Sequence, residues 1–190
     1  AAGEAADTTR VWLHDMTLER ADDGEIDVSR LGPALEAAMM AQFRGLAESD
    51  RFDQLVLAAG LAWREASLLR ALGRYLRQVG APYAQGYIAD ALARHPAIAA
   101  GLVALFTAKF DPRLAEAERR TGMEAERRAI ETALDAVSSL DEDRILRRLV
   151  NLIDAALRTN FFQIGPDGQP RGTISIKYDC AKVDSLPLPR

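Results

Sequence analysis

Residues 52–112, FDQLVLAAGLAWREASLLRALGRYLRQVGAPYAQGYIADALARHPAIAAGLVALFTAKFDP, hold blocks of helical hydrophobic spacing divided by stops that a helix does not run through. Phe52, Leu55, Val56 and Ala59 recur at three- and four-residue intervals up to Gly60, which breaks or bends the rod. Trp63, Leu69, Leu72, Leu76 and Val79 then continue the period. Gly80-Ala81-Pro82 ends that run, with glycine just past the last periodic residue and proline beyond it. A short helix over 83–94 should bury Tyr87, Ile88, Ala91 and Leu92. His95-Pro96 stops it, because a residue before proline is pushed out of the helical region. Residues 97–110 are apolar nearly all round, which predicts a central helix, and Asp111-Pro112 repeats the stop. Such a stretch folds as about four helices around the last of them, and nothing in it does chemistry.

The flanks extend the pattern. Ser29 is the expected N-cap of an earlier helix, with Pro33 tolerated in its first turn and Leu31, Leu35, Met39, Phe43 and Leu46 as its stripe. Glu48-Ser49-Asp50 closes that helix and caps the next. Residues 113–128 read as an Ala/Glu/Arg helix interrupted at Thr121-Gly122, and apolar spacing returns with Ile130, Leu134, Val137 and Leu140. Ser138, Ser139 and the acidic run 141–143 cap a last helix, whose stripe is Ile145, Leu149, Leu152, Ile153 and Leu157. Two segments have period two. Residues 10–18 read as a short strand, with Val11 and Leu13 alternating with Trp12 and His14. After Asn160, FFQI, GPDGQPRG and TISIKYDC read as strand, turn and strand, with Ile174, Ile176, Tyr178 and Cys180 on one face. The expected fold class is mainly α: a multi-helix bundle with a short N-terminal strand and a C-terminal β-hairpin.

Composition removes several functions. The net charge is −4, against the basic surface that nucleic-acid binding needs. All but three of the 24 basic residues are arginine, the exceptions being Lys109, Lys177 and Lys182. No apolar run reaches the roughly 18 residues of a membrane span. Cys180 is alone and points to a reducing compartment, the cytoplasm; His14 and His95 have no metal-ligand spacing. No leader pattern stands at the N-terminus, which lacks a starting Met. The far end stops within LPLPR, so both ends read as cuts in a longer chain.

The tempting residues all have structural readings. Arg70, Arg74 and Arg77 at i, i+4 and i+7 suggest a phosphate or carboxylate clamp, but a solvated face with weak ion pairs explains them. Trp63 and Tyr75 suit core or interdomain packing better than ligand stacking. His95 reads as a helix C-cap. Glu116, Glu118, Glu124, Glu126 and Glu131 interleave with Arg119, Arg120, Arg127 and Arg128, so pairing along the helix explains them better than a metal site. Cys180 reads as a small buried hydrophobe. No residue is assigned a catalytic, cofactor-binding or metal-ligating role.

FDQLVLAAGLAWRE, LLRALGRYLRQVG, YIADALARHPAIAAGLVALFTAKFDP, RTNFFQ and ISIKYDCAKVDSLPLPR stand in the chain in that order. Together they resemble the large NAD-specific glutamate dehydrogenases of bacteria, from about Arg10 onward. The resemblance implies a parent that oxidatively deaminates L-glutamate to 2-oxoglutarate and ammonia with NAD as hydride acceptor. It implies residues 1–28 as the remnant of a preceding α/β module, 29–159 as a helical domain, and 160–190 as the start of the catalytic region. Partners would be the rest of the parent chain, its regulatory modules and catalytic core, with a homo-oligomer as the assembly. The chemistry needs substrate-holding lysines among glycines, an acid/base aspartate and a Gly-rich dinucleotide turn. This sequence has no G-x-G-x-x-G and no lysine in such a setting, so no family catalytic residue carries over and no cofactor is expected on these residues. The expected role is a non-catalytic link between regulatory modules and catalytic core. The alternative is a stand-alone helical interaction or small-ligand-binding regulatory domain; a nucleic-acid binder using Arg70, Arg74 and Arg77 ranks last.

Overall fold

Asp27, not Ser29, starts the first helix: its carboxylate accepts from the Arg30 amide at 3.2 Å, and α1 runs Val28–Phe43. In this computed structural model the described residues are Asp15, Thr17, 27–166, 168–184 and Leu186. Apart from Asp15 and Thr17, the expected strand at 10–18, His14 included, therefore lies outside the described residues. After α1 the chain makes a 3-10 turn, Arg51–Asp53, capped reciprocally by Asp50 and Asp53. Six helices follow: α2 (Gln54–Ala58), α3 (Trp63–Gln78), α4 (Gln85–Arg94), α5 (Pro96–Phe110), α6 (Glu116–Leu134) and α7 (Leu140–Ala155). Strands β1 (Ala156–Thr159) and β2 (Ile176–Tyr178) pair antiparallel, with an irregularity between Ala156 and Arg158. The fold is mainly α with a small C-terminal antiparallel sheet.

The expected stops do their work, for local reasons. Gly60 breaks the rod outright, at φ +65°, and Gly80 ends α3 at φ +89°, conformations that L side chains rarely adopt. Ser139 caps α7 through the Glu142 amide, a bond of about 1 kcal/mol for such caps. At His95-Pro96 the axes of α4 and α5 turn by 101°. No single helix among the described residues is long and apolar enough to cross a membrane. α5 is the central helix, burying Ile98, Ala99, Leu102, Val103, Leu105, Phe106 and Ala108.

Two further expectations fail here. Thr121-Gly122 does not interrupt α6. A helical glycine costs roughly 1 kcal/mol, but a Cβ at Gly122 would stand 3.3 Å from the Ala108 Cβ, so its bare backbone admits close approach of α5. Gly101 does the same for Ile130, whose Cγ1 would lie 2.9 Å from an added Cβ. These pairs set α5 and α6 antiparallel and tightly packed. Gly101→Val is accordingly expected to force α6 outward and to cost about 1–3 kcal/mol, read as a lower urea midpoint with an unchanged slope. The second failure is at the C-terminal end of α7. The helix stops at Ala155 rather than 159, and β1 begins at the next residue, so 156–159 form the first strand instead of FFQI. Phe161 and Phe162 sit in the turn beyond it, and Ile164 pairs only as an isolated bridge with Pro170.

One hydrophobic cluster joins all of this. Phe52 and Leu55 from the start, Leu68, Leu72 and Leu76 of α3, Phe106 of α5, Ile145, Leu149 and Ile153 of α7 and Phe161 beyond β1 belong to a single core. Tyr178 of β2 stacks on Tyr75 of α3, centroids 4.2 Å apart and planes within 8°. That contact anchors a two-stranded sheet that would be marginal alone.

Candidate functional site

A cleft of about 460 Å³ lies between residues 45–48, the α3 face carrying Arg70, Arg74, Tyr75 and Gln78, and residues 172–174 near β2. It gathers two of the three singled-out arginines, and there the solvated-face reading of Arg70 is overturned. Arg70 is 4% exposed. Its Nε donates to Asp50 Oδ2 at 2.8 Å, and its Nη2 to Asp53 Oδ1 at 2.9 Å and the Glu48 carbonyl at 3.2 Å. Its Nη1 donates to Ser67 Oγ at 3.2 Å. Asp50 and Asp53 are themselves placed by the 3-10 turn they cap, so the segment after α1 closes over α3 like a clasp. Arg74 grips both carboxylate oxygens of Glu48, which holds the Glu48 carboxyl below its ordinary range. Arg77 points away and is exposed. The stripe is thus divided among a buried clasp, a surface ion pair and a solvated arginine. It presents no convergent cationic clamp.

The other polar groups serve helix ends. His95 ends α4 and begins α5, and its Nε2 lies 2.7 Å from Glu142 Oε2 in the first turn of α7. Burial disfavours ionised Glu142, but the bonds from His95 and Arg94 outweigh it and hold its carboxyl below the usual range, so His95 Nε2 is the donor. Lys109 donates to the Ile153 and Asp154 carbonyls at 3.0 and 2.8 Å, closing the C-terminus of α7; burial pulls its ammonium below the usual lysine range. Arg119 donates to the Lys109, Asp111 and Leu114 carbonyls at the end of α5. Arg127 forks onto Asp154 at 2.7 and 2.5 Å. Pairing along α6 therefore accounts for Arg119 with Glu116 at 3.6 Å, whereas the stronger arginine bonds run to other elements.

Trp63 is half-buried against the core and Tyr75 carries the Tyr178 stack, both packing roles. Burial raises the Tyr178 hydroxyl well above the ordinary tyrosine range. Cys180 contradicts its reading: it is exposed, in a 3-10 turn (Cys180–Lys182) that Asp179 caps, so the strand period stops at Tyr178.

Asp111, 3% exposed, gives a pH signature. Hydrogen bonds from the Arg113 side chain and amide lower its carboxyl from 3.8 to about 2. A carboxyl lowered by folding stabilises fully above its unfolded value and loses that contribution as pH falls toward its folded one. The margin of the wild type over Asp111→Asn should therefore hold at about pH 5 and shrink toward about pH 2. Urea midpoints of both proteins across that range check it.

The N-termini of α1 and α7 are occupied by Asp27 and Ser139, Glu65 and Glu118 fold back to those of α3 and α6, and Pro96 opens α5. Among the described residues no glycine-rich strand-to-helix turn leaves amides free for a pyrophosphate. The buried clasp, the capped ends of α1, α3, α6 and α7 and one continuous core define a helical packing module. Its membership of a family comes from comparison. Residues 47–112 match the family described as "Glutamate dehydrogenase, helical motif 3", and residues 129–190 match "Bacterial NAD-glutamate dehydrogenase, catalytic domain". The NAD-specific glutamate dehydrogenase of Pseudomonas aeruginosa is 41% identical over 180 residues, 94% of this chain and 11% of the relative. That of Halomonas elongata is 39% identical over 179 residues, again 94% and 11%. That of Mycobacterium tuberculosis is 42% identical over 154 residues, 80% of this chain and 10% of the relative. The chain belongs to the NAD-specific glutamate dehydrogenase family and spans about a tenth of the length of these relatives.

Proposed function

We propose that these residues are a non-catalytic helical segment of a large NAD-dependent glutamate dehydrogenase, joining regulatory modules to the catalytic core. The observation that carries the reading is the shared core. Leu68, Leu72 and Phe106, within the helical-motif match, belong to one cluster with Ile145, Leu149 and Phe161, within the catalytic-domain match. Polar bonds cross the same joint: Lys109 closes α7, and Arg64 donates to the Arg171 and Phe161 carbonyls at 2.8 and 3.0 Å. A joint built this way transmits displacement, because close-packed interiors deform little. The parent reaction would be oxidation of L-glutamate to 2-oxoglutarate and ammonia, with NAD bound by other residues, in a cytoplasmic homo-oligomer.

The runner-up, a stand-alone regulatory domain with a ligand in the cleft, has less support. Both arginines lining the cleft already hold carboxylates of this chain. The test is glutamate-dependent NAD reduction. The protein at the length of its relatives should show it and the 190-residue chain alone should not; activity in the latter overturns the non-catalytic role. Lys109→Met in the long protein should lower turnover while leaving NAD affinity unchanged, and unchanged turnover would remove the joint from the mechanism.

A further inference from the structure

The outer face of α1 leaves the large apolar side chains of Val28, Met40 and Phe43 exposed. Only Arg30 and Glu36 are charged among its 16 residues, whereas nine of the 19 residues of α6 are charged. A helix of that composition is ordinarily covered on most sides, yet α1 buries only Leu31, Ala38 and Ala41. Pro33, Ala37, Met40 and Phe43 follow at spacings of four, three and three, so they form one outward stripe, with the exposed Glu36 beside Met40 on the same face. Met40 is 41% and Phe43 70% exposed, and Leu46, 48% exposed, continues the stripe to the lip of the 460 Å³ cleft. Small residues at one end, large apolar anchors at the other and a polar cleft alongside make up the anatomy of an interface, with apolar centre and polar margin.

We infer that this face docks a module of the same polypeptide lying outside these 190 residues. The relatives supply the argument for that occupant. Nine-tenths of their length is not represented here, and α1 precedes both matched regions, 47–112 and 129–190. The inference rests on the proposed membership of a larger enzyme and adds where its neighbour sits.

The test uses the protein at the length of its relatives, with the photoreactive residue p-benzoylphenylalanine in place of Phe43. Isotopically light and heavy preparations are mixed before irradiation, and cross-linked peptides are identified by mass. The expected product is an intrachain cross-link from position 43 to a peptide outside residues 1–190. Cross-links joining light and heavy chains, which would mark a second copy as the occupant, overturn the inference. So do cross-links to residues 1–26, and so does the absence of any cross-link. The same preparation is assayed for glutamate-dependent NAD reduction. Activity without the cross-link removes the docking face and leaves the enzyme reading intact; a cross-link without activity does the reverse.

Discussion

Arg70→Ala is expected to lower the stability of the chain by about 3–5 kcal/mol, the loss typical of removing one partner from a buried ion pair. Against the roughly 5–15 kcal/mol that holds an ordinary domain, that is enough to threaten folding. The guanidinium is what turns the segment after α1 back onto α3. Without it, the Asp50 and Asp53 carboxylates face each other across the 3-10 turn with no cation between them, and the Glu48 carbonyl loses a donor. Part of the loss is apolar, because the arginine stem packs in the core and its head sits 5.8 Å over the Phe52 ring. Arg70→Lys keeps the charge but has no planar fork with which to reach both aspartates, so it should recover only part of the stability. Arg70→Met with Asp53→Asn separates the causes: the double variant should be more stable than Arg70→Met alone, since one of the two stranded charges is gone. Urea unfolding of the four variants and the wild type reads this directly. Equal midpoints for Arg70→Ala and wild type would place Arg70 among surface ion pairs.

Why Arg70 reads differently in sequence and in space follows from the range of the interactions. Arg70, Arg74 and Arg77 lie at helical spacing with no acidic residue at i−4 or i+4 of Arg70, so local reasoning assigns all three to water. The deciding partners, Asp53, Asp50 and Glu48, are 17 to 22 residues earlier and reach Arg70 only because the chain reverses between α1 and α3. The elements legible in advance are those whose causes are local: the Gly80 and His95-Pro96 stops, the Ser139 cap and the apolar α5. Gly122 was misleading because its benefit, the approach of Ala108, comes from another helix. Cys180 was misleading for a local reason that periodicity does not weigh: the Asp179 side chain accepts from the Ala181 amide at 3.2 Å and turns the backbone out of the strand. The change from α7 to β1 between Ala155 and Ala156 carries no glycine or proline signal. It is fixed by pairing with β2, including the Asp179 amide donating to the Ala155 carbonyl at 2.8 Å.

Phe106→Ala should cost about 3–5 kcal/mol, the range for truncating a fully buried aromatic, and its effect should be felt furthest from where it is made. The Phe106 ring meets Phe110 at 4.8 Å, Phe161 edge-on at 5.6 Å and Phe162 at 6.5 Å. Three rings are thus held from α5, two of them beyond β1. Arg64 adds a guanidinium 4.8 Å over Phe161 while it bonds the Phe161 and Arg171 carbonyls. Truncation leaves a cavity between the region matching the helical motif and the turn within the region matching the catalytic domain. Amide exchange should therefore rise first at Asn160 and Asp179, whose bonds to Ser175 and Ala155 hold the sheet, and only later in α3 and α4. If Phe106 and Phe161 act as one contact, Phe106→Ala with Phe161→Ala should cost less than the two single losses together, with a coupling of about 0.5–3 kcal/mol. Strict additivity, or exchange rising uniformly along the chain, would mean that the ring only fills volume in α5 and does not join the two regions.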